Sequence, residues 1–472
     1  MRKTKIVCTL GPAVDNEEKI EELILNGMDC ARLNFSHGSH AEQKRRMDWV
    51  RQMSAKQNMP VALLMDTKGP EIRVRELENG GVELCEGQRY VLDTDEEKCG
   101  DVSRVAVTYK KLAQCVKPGT RILIDDGKIE LQVESICGTA VECRVLHGGR
   151  ISNHKSINLP NVEIPMPYIS PADEADILFG IREQVDYIAA SFVRTAEDVR
   201  KLRKLLEENG GAAIRIISKI ENRQGVENME EIISESDGIM VARGDLGVEI
   251  PFERLPAIQK IMIERCNAAG KLVITATQML ESMITNPRPT RAEVSDVANA
   301  IYDGTTAVML SGESAAGSYP IEAVRTMAEI VLAAEKSIDY SKYFIKDHQR
   351  LERNVTNAVC ASAYSAAEYL DAKAIIVMTK SGRTARMLSS FRPACPVIAA
   401  TMEPMGMRQL KLFWGIKPVA AKQVETPAEL LEYALNRAKE SQLVMPGDKV
   451  IAVLASDLGE NALNDIMQIC TI

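Results

Sequence analysis

The sequence predicts an α/β fold: a (β/α)8 barrel with an inserted all-β lid domain, followed by an open α/β domain. Three observations carry that expectation. Short apolar runs recur along the chain, each ending in polar or glycine residues; helical stretches with charged faces separate them; and one interval is far longer than its neighbours. Strands apolar on both faces that alternate with helices belong to parallel sheets covered by helices. Eight such units close a barrel.

The eight runs begin at Thr4 (TKIVCTLG), Asp29 (DCARLNFSHG), Val61 (VALLMDTKG), Asp186 (DYIAASF), Ile214 (IRIISKIEN), Asp237 (DGIMVARGD), Lys271 (KLVITATQM) and Thr306 (TAVMLSGES). Most starts lie about 24 to 35 residues apart, the length of one βα unit. Between them come helical patterns such as NEEKIEELILNG, AEDVRKLRKLLEENGG and PAIQKIMIERCNAAG, the last two closing on glycine, a usual helix stop. The third interval exceeds the others by roughly 100 residues, which is domain-sized. That excess is assigned to an inserted module, residues 70–166. Its runs GVELCEGQRYVLDT, TRILIDDGKIELQVESI and AVECRVLHGG alternate in period two and break at Gly and Asp-Gly turns. Leaving after the third strand and returning before the fourth, it must hang over the carboxyl-terminal mouth of the barrel, as a lid would.

The barrel is therefore expected over 1–69 and 167–340. From 341 to 472 the pattern restarts: helix LERNVTNAVCASAYSAAEYL, strand AIIVMTK, turn SGRT, strand PVIAAT, helix TPAELLEYALNRAKES and strand DKVIAVLAS. This reads as an open domain of the doubly wound kind.

Composition bounds the function. A chain of 472 residues implies two to four domains. A net charge of -8 argues against nucleic acid or an anionic membrane as partner, while leaving room for a local basic pocket. Eleven cysteines without a C-x-x-C pair or metal-ligand spacing suggest reduced thiols, with Cys8, Cys30 and Cys266 in apolar runs. The basic start MRKTKIVCTLGP has too short an apolar core for a signal peptide, and no run approaches the ~18 apolar residues of a membrane helix. A cytoplasmic location is expected.

In a barrel of this type, polar residues at the carboxyl ends of strands read as chemistry. The second strand offers Arg32, Asn34 and Ser36, all of one parity; the third Asp66, Thr67 and Lys68, then Glu71 and Arg73 at the hinge of the insertion. The fifth offers Lys219 and Glu221, the sixth Arg243, Gly244 and Asp245, the seventh Thr277 and Gln278, the eighth Ser311 and Glu313. Glu221 and Asp245 come from adjacent strands and can share a small hard cation that keeps several waters, which suits Mg2+. Lys219, Arg32 and Arg73 surround that position with positive charge, as phosphoryl transfer requires. GDLG reads as a helix start with free N–H groups for a carboxylate or phosphate, and Thr277 can bond the same anion. Asn34, Ser36, Asp66 and Thr67 form an oxygen set suited to a monovalent cation. Taken alone, a strand-end Lys–Glu pair reads as structural and Ser311 and Thr277 as turn or cap residues, while Arg243 beside Asp245 reads equally as an ordinary ion pair or as part of a site. Their convergence at one mouth argues for function, because burying unrelated charges there costs several kcal/mol per ion. In the last domain, Thr379, Lys380, Ser381, Gly382, Arg383 and Thr384 form a donor-rich strand-to-helix turn with the composition of a phosphate loop.

With these residues assembled, the chain resembles the pyruvate kinase family along essentially its whole length. The carriers are TKIVCTLGPA, ARLNFSHG, LLMDTKGPEIR, NHKSINLP, IISKIENRQG, GIMVARGDLGVEI, VITATQMLESM, NPRPTRAEVSDVANAIYDGT and VMLSGESAAGSYP. The resemblance implies transfer of the phosphoryl group of phosphoenolpyruvate to ADP, giving pyruvate and ATP, with Mg2+ (or Mn2+) and K+ as cofactors. It also implies a homotetramer and a C-terminal regulatory domain. By the same likeness Arg32 and Lys219 bind the phosphoryl group, Lys219 stabilising the transition state. Glu221 and Asp245 hold the divalent metal. Gly244, Asp245 and Thr277 cradle the substrate carboxylate, and Asn34, Ser36, Asp66 and Thr67 hold potassium. Asn34, His37, Arg73 and, from the lid, Lys155 contact the nucleotide. Glu71 stands where an acidic residue accompanies potassium dependence. The proton for the enolate is left between water near Thr277 and a relay through Ser311 and Glu313. TKSGRT resembles the phosphate loop for a sugar-phosphate activator. The closing segment ASDLGENALNDIMQICTI, however, lacks the glycine-rich basic loop of members activated by fructose 1,6-bisphosphate, and the phosphohistidine-like domain of some bacterial members is not expected. A barrel lyase or aldolase acting on pyruvate enolate, or a metabolite sensor with a relic barrel, are the rival readings.

Overall fold

A computed structural model of the protein describes residues 1–94, 99–340, 354–422, 426–440, 442–455 and 464–472. Eight parallel strands close into a barrel: β1 (Lys5–Thr9), β2 (Cys30–Asn34), β3 (Ala62–Asp66), β4 (Tyr187–Ala190), β5 (Arg215–Ile220), β6 (Gly238–Ala242), β7 (Leu272–Ala276) and β8 (Ala307–Leu310). Every residue in these strands is buried except Asn34 and Arg215, which are half-buried. Burial on both faces explains why the strands read as continuous apolar runs. Parity then sorts them. Val7, Cys30, Leu64, Tyr187, Ala189, Ile217, Met240 and Ile274 pack together, while the alternate Ile6, Leu33, Met65, Ile188, Ile216 and Val241 pack into a separate cluster with the helices.

Between β3 and β4 the chain builds a separate body. Strands Ile72–Arg73, Arg89–Asp93, Arg104–Ala106, Arg121–Ile124, Ile129–Cys137, Ala140–His147 and Ser156–Asn158 form a seven-stranded sheet, and Gly81–Leu84 pairs with Gly149–Ser152. Tyr90, Leu92, Ile122, Leu131 and Val141 fill its core; a short helix, Leu112–Cys115, is its one helical departure from an all-β texture among the described residues, apart from a single 3-10 turn. The Asp-Gly turn seen in the sequence is real: Asp125, Asp126 and Gly127 all have positive φ (52°, 56° and 81°). This body touches the barrel beside its mouth. Asn158 donates to Glu249 Oε1 (3.0 Å), Arg223 donates to Asn161 Oδ1 (2.6 Å), and Arg194 donates to the carbonyls of Ile164 and Met166 (3.0 and 3.2 Å).

The C-terminal part holds β9 (Ala374–Met378), β10 (Val397–Thr401), β11 (Ile416–Ala420), β12 (Lys449–Ala455) and β13 (Asn464–Thr471) in the order β11-β10-β9-β12-β13, with β13 antiparallel. Two of these strands, β11 and β13, have no apolar run to announce them. Both are edges, and an edge tolerates Pro418 and the half-polar NDIMQICT. The start of the expected helix at Leu351 and residues 456–463 of the closing segment lie outside the described residues. Helix Pro404–Lys411 and the β11 region dock under the amino-terminal ends of the barrel strands. Lys5 Nζ donates to Ile416 O (2.8 Å), Lys411 pairs with Asp29 (3.1 Å), and Tyr187 Oη donates to Gln409 O (2.7 Å). The inward barrel residues and one face of this domain's sheet form one continuous apolar cluster, and the other face forms a second. The end of the barrel opposite this domain carries the charged strand ends. All eleven cysteines are free, and no described helix is long and apolar enough to cross a membrane.

Candidate active site

The inward row of β5 continues from Ile217 to Lys219 and then Glu221, so strand alternation alone aims both side chains into the mouth. Lys219 Nζ donates to Asp66 Oδ1 (3.0 Å) from β3 and to Ser191 Oγ (2.9 Å) just past β4. Arg32 on β2 donates through Nε to the other oxygen, Asp66 Oδ2 (2.6 Å), and through Nη1 to Thr9 Oγ1 on β1 (3.0 Å). Burial opposes the Asp66 charge, but Arg32 and Lys219 hold its carboxyl below the ordinary value. Burial likewise opposes the Lys219 charge, but Asp66 and Glu221 raise its pKa above the usual lysine value, so it stays an ammonium.

Glu221 is 1% exposed. Its Oε2 accepts the Phe192 N–H (2.7 Å), while Oε1 lies 2.9 Å from Lys219 Nζ yet takes no directed hydrogen bond. Burial, with the Asp245 charge adding, pushes Glu221 up to about 7 against the pull of Lys219. Asp245, in the short helix Arg243–Glu249 that follows β6, is raised by burial, with Asp126 of the lid turn and Glu71 adding. Glu71 is itself raised by burial, although Arg73 bonds it (2.9 Å). Acids crowd this corner, and a cation would relieve them. Among the described residues no three His, Cys, Asp or Glu side chains form a closed metal cage, so the pair fits an ion that keeps waters.

Next to the acids, Thr277 and Gln278 adopt left-handed φ (64° and 53°), an uncommon conformation for a β-branched residue. Arg243 holds that turn: its Nη2 donates to Thr277 O (2.6 Å) and Gln278 O (3.0 Å), its Nε to Ala276 O (3.2 Å). Its charge partner is Asp296 (2.6 Å), so the ion pair with Asp245 weighed from the sequence is replaced by one to a neighbouring helix. The turn brings Thr277 Oγ1 to the Gly244 N–H (2.8 Å), joining two of the expected cradle residues. Glu313 accepts the N–H groups of Leu280 (3.0 Å) and Ser311 (2.7 Å), which makes it a brace for the loop; the buried Ser311 hydroxyl takes no partner.

Of the oxygen set, Asn34 and Asp66 are register partners on β2 and β3, and Ser36 and Thr67 follow them along the chain. Asn34 Oδ1 accepts the Ser36 N–H (3.0 Å), and Thr67 Oγ1 accepts the Ser191 N–H (3.1 Å). Two of the nucleotide candidates, Arg73 and Lys155, stand at the lid hinge. Arg73 and Ser156 are paired across the hinge strands, and Val74 N–H donates to Lys155 O (2.9 Å). Lys155 Nζ donates to Asp125 Oδ1 (2.7 Å) of the Asp-Gly turn. His37 is lowered by partial burial and by the charges of Arg73 and Arg32, so the three share one positive field. A cleft of about 400 Å3, lined by Ser36, Lys68, Glu71 and Arg73, opens there, and another of about 310 Å3, lined by Phe192, Arg194, Asn222 and Glu249, shares Pro70 and Met166 with it. Far from this mouth, Thr379 Oγ1 accepts the Gly382 N–H (3.0 Å) and Arg386 donates to Ser381 O (2.8 Å). Lys380 lies in the same turn, Gly382 is left-handed, and Arg383 and Thr384 open the helix Arg383–Ser390.

Three groups at the mouth are absent from the sequence reading: Thr9, Ser191 and the Phe192 N–H. Ser191 continues the inward parity of Tyr187 and Ala189, so the alternation that finds Lys219 finds it too. A backbone N–H leaves no mark in residue type.

Comparison with known proteins gives one answer. Residues 1–324 match the family model "Pyruvate kinase, barrel domain" and residues 357–470 match "Pyruvate kinase, alpha/beta domain". The chain is similar to a pyruvate kinase of Sporosarcina psychrophila (49% identical, covering all of this chain and 81% of that protein). It is equally similar to one of Clostridium acetobutylicum (49% identical, covering 96% of this chain and 95% of that protein). The crystal structure of a pyruvate kinase from Cryptosporidium parvum superposes with a TM-score of 0.93 at 42% identity, covering all of this chain and 96% of that one.

Proposed function

The chain belongs to the pyruvate kinase family, and from that premise we propose a role for each group at the barrel mouth. Its reaction is the family's: the phosphoryl group of phosphoenolpyruvate passes to ADP, giving pyruvate and ATP. The observation that carries the assignment is the pairing of a buried ammonium with a buried carboxylate. Lys219 Nζ is held between Asp66, Ser191 and Glu221, and Glu221 Oε1 is left without a hydrogen bond.

Lys219 meets the equatorial oxygens of the migrating phosphoryl group and balances the charge that spreads over them. Arg32, fixed by Asp66 and Thr9, orients the same group. Gly244 and Thr277 receive the substrate carboxylate, and the Arg243 clamp keeps Thr277 in its left-handed conformation to do so. Arg73, Lys155, His37 and Asn34 take the nucleotide at the hinge. Glu221 and Asp245 would hold Mg2+ or Mn2+, and Asn34, Ser36, Asp66 and Thr67 would hold K+; oxygen donors of both sets suit hard cations. The cations would supply positive charge to offset that of the phosphate and the enolate. Of the relay pair, Ser311 is the member whose hydroxyl is free to bond an incoming group on the way to the enolate, because both Glu313 oxygens accept backbone N–H groups. A homotetramer in the cytoplasm, with an activator phosphate at residues 379–384, completes the reading.

A coupled assay of phosphoenolpyruvate and ADP tests it: turnover is expected only with Mg2+ or Mn2+ present, and with Glu71 in place it should rise strongly on adding K+. Activity indifferent to both cations would remove the metal assignments. A second expectation concerns pH. Burial pushes the Glu221 carboxyl up to about 7, and a ligand must be anionic, so a proton competes with the metal increasingly below that value. The Mn2+ concentration needed for half-saturation should therefore climb as pH falls below that value, approaching about tenfold per unit. Direct Mn2+ titration of the protein on either side of neutrality reads this, and a flat profile would exclude Glu221 as a ligand.

A further inference from the structure

We infer that Ser191 is a positioning residue for the phosphoryl transfer: its hydroxyl seats the Lys219 ammonium and acts through it. The inference rests on the role proposed above for Lys219. Three oxygens surround the ammonium: Asp66 Oδ1 at 3.0 Å and Ser191 Oγ at 2.9 Å, each accepting a hydrogen bond, and Glu221 Oε1 at 2.9 Å as an ion-pair partner. Two belong to acids that can carry a negative charge. Ser191 cannot.

The hydroxyl is oriented for this task. Its single proton is directed to Thr67 O (2.6 Å), closer than Asp66 Oδ1 (3.1 Å), which leaves its lone pairs facing Lys219 Nζ. The Ser191 N–H donates to Thr67 Oγ1 (3.1 Å), and the residue is 1% exposed, so backbone and side chain are both tied to the β3 end. Gly69, with φ +72°, lets the chain pass so near that a Cβ there would lie 2.9 Å from Ser191 Cβ. The next residue, Phe192, is also left-handed (φ 53°) and gives its N–H to Glu221 Oε2. One short turn thus holds the lysine with its side chain and the acid with its backbone.

The neutrality matters. A third carboxylate would cancel the ammonium charge that the phosphoryl group needs. With no acceptor at this position, the ammonium would settle on Asp66 and Glu221 and lose the geometry that the transition state requires. Substrate binding, which uses Arg32, Gly244 and Thr277, would persist.

Ser191→Ala is therefore expected to lower kcat by about 10- to 100-fold, the usual effect of removing one hydrogen bond to a charged group. The KM for phosphoenolpyruvate should stay within about threefold. Ser191→Cys, which keeps a weak donor and acceptor at nearly the same volume, should recover part of the loss and serves if the alanine variant does not fold. In a Lys219→Met background, assayed at enzyme concentrations that make the residual turnover readable, Ser191→Ala should add little, because its route to the chemistry is gone. Unaltered kcat in Ser191→Ala, a matching rise in KM, or a full additive loss beside Lys219→Met each overturns the inference. Near-normal turnover of Lys219→Met alone would instead strike at the role of Lys219, so the two failures are told apart.

Discussion

Lys219→Met should lose turnover on the order of 10^3-fold while still binding phosphoenolpyruvate. Methionine keeps the length and apolar stem of lysine and removes the charge and all three donors. The ammonium is buried and held by Asp66, Ser191 and Glu221, and its raised pKa means that its charge persists across the working pH range. In a dry site such a charge acts with little screening, so its removal is felt at the barrier more than in binding. The loss should appear in kcat and kcat/KM together, the mark of an interaction made in the transition state. Arg32, paired with Asp66 from the other side, still offers a positive group to the ground-state phosphate. Isothermal titration with phosphoenolpyruvate and steady-state kinetics on one preparation separate the two quantities. Turnover within tenfold of the parent protein would refute the assignment. A collapse of binding equal to that of turnover would make Lys219 a docking group.

Much of this was legible in the sequence because barrels write their geometry in parity. Lys219 and Glu221 follow Ile217 on one face, and Arg32 follows Cys30, so counting by two places each side chain inside the mouth. Where chemistry passes through backbone groups or depends on side-chain reach, the sequence is mute. The Phe192 N–H that bonds Glu221 could belong to any residue. Arg243 shows the second limit. It stands two positions from Asp245, which suggests a pair, but the chain turns into a helix at that point. The long guanidinium then folds back onto the carbonyls of Ala276, Thr277 and Gln278 at the end of β7 and onto Asp296. The edge strands β11 and β13 were hidden for a different reason: most of the β13 side chains face water, and Lys417 and Pro418 interrupt the apolar pattern of β11.

Arg408→Met should destabilise the protein by about 3 kcal/mol, the lower end of the range for breaking a buried ion pair, because the arginine side chain is 21% exposed. Its partner Asp186 is fully buried and takes both Arg408 Nε contacts (2.9 and 3.1 Å) together with the Leu63 N–H (2.8 Å). Removing the guanidinium leaves a carboxylate with one donor, in a place where water cannot reach it. Most of the expected cost is that orphaned charge, so Asp186→Asn in the same chain should restore a large part of it. The location gives the pair wider reach. Asp186 immediately precedes β4, and Ser191 and Phe192 stand immediately after it, with four strand residues between. Arg408 and Gln409 belong to helix Pro404–Lys411, so the C-terminal domain grips one end of the strand whose other end seats Lys219 and Glu221. A close-packed strand moves as a unit. Release at Arg408 should therefore lower kcat beyond what the unfolded fraction accounts for, and Asp186→Asn should mend stability more than turnover. Denaturant melts and kinetics on the single and double variants measure both, and equal recovery of the two would confine the pair to a structural role.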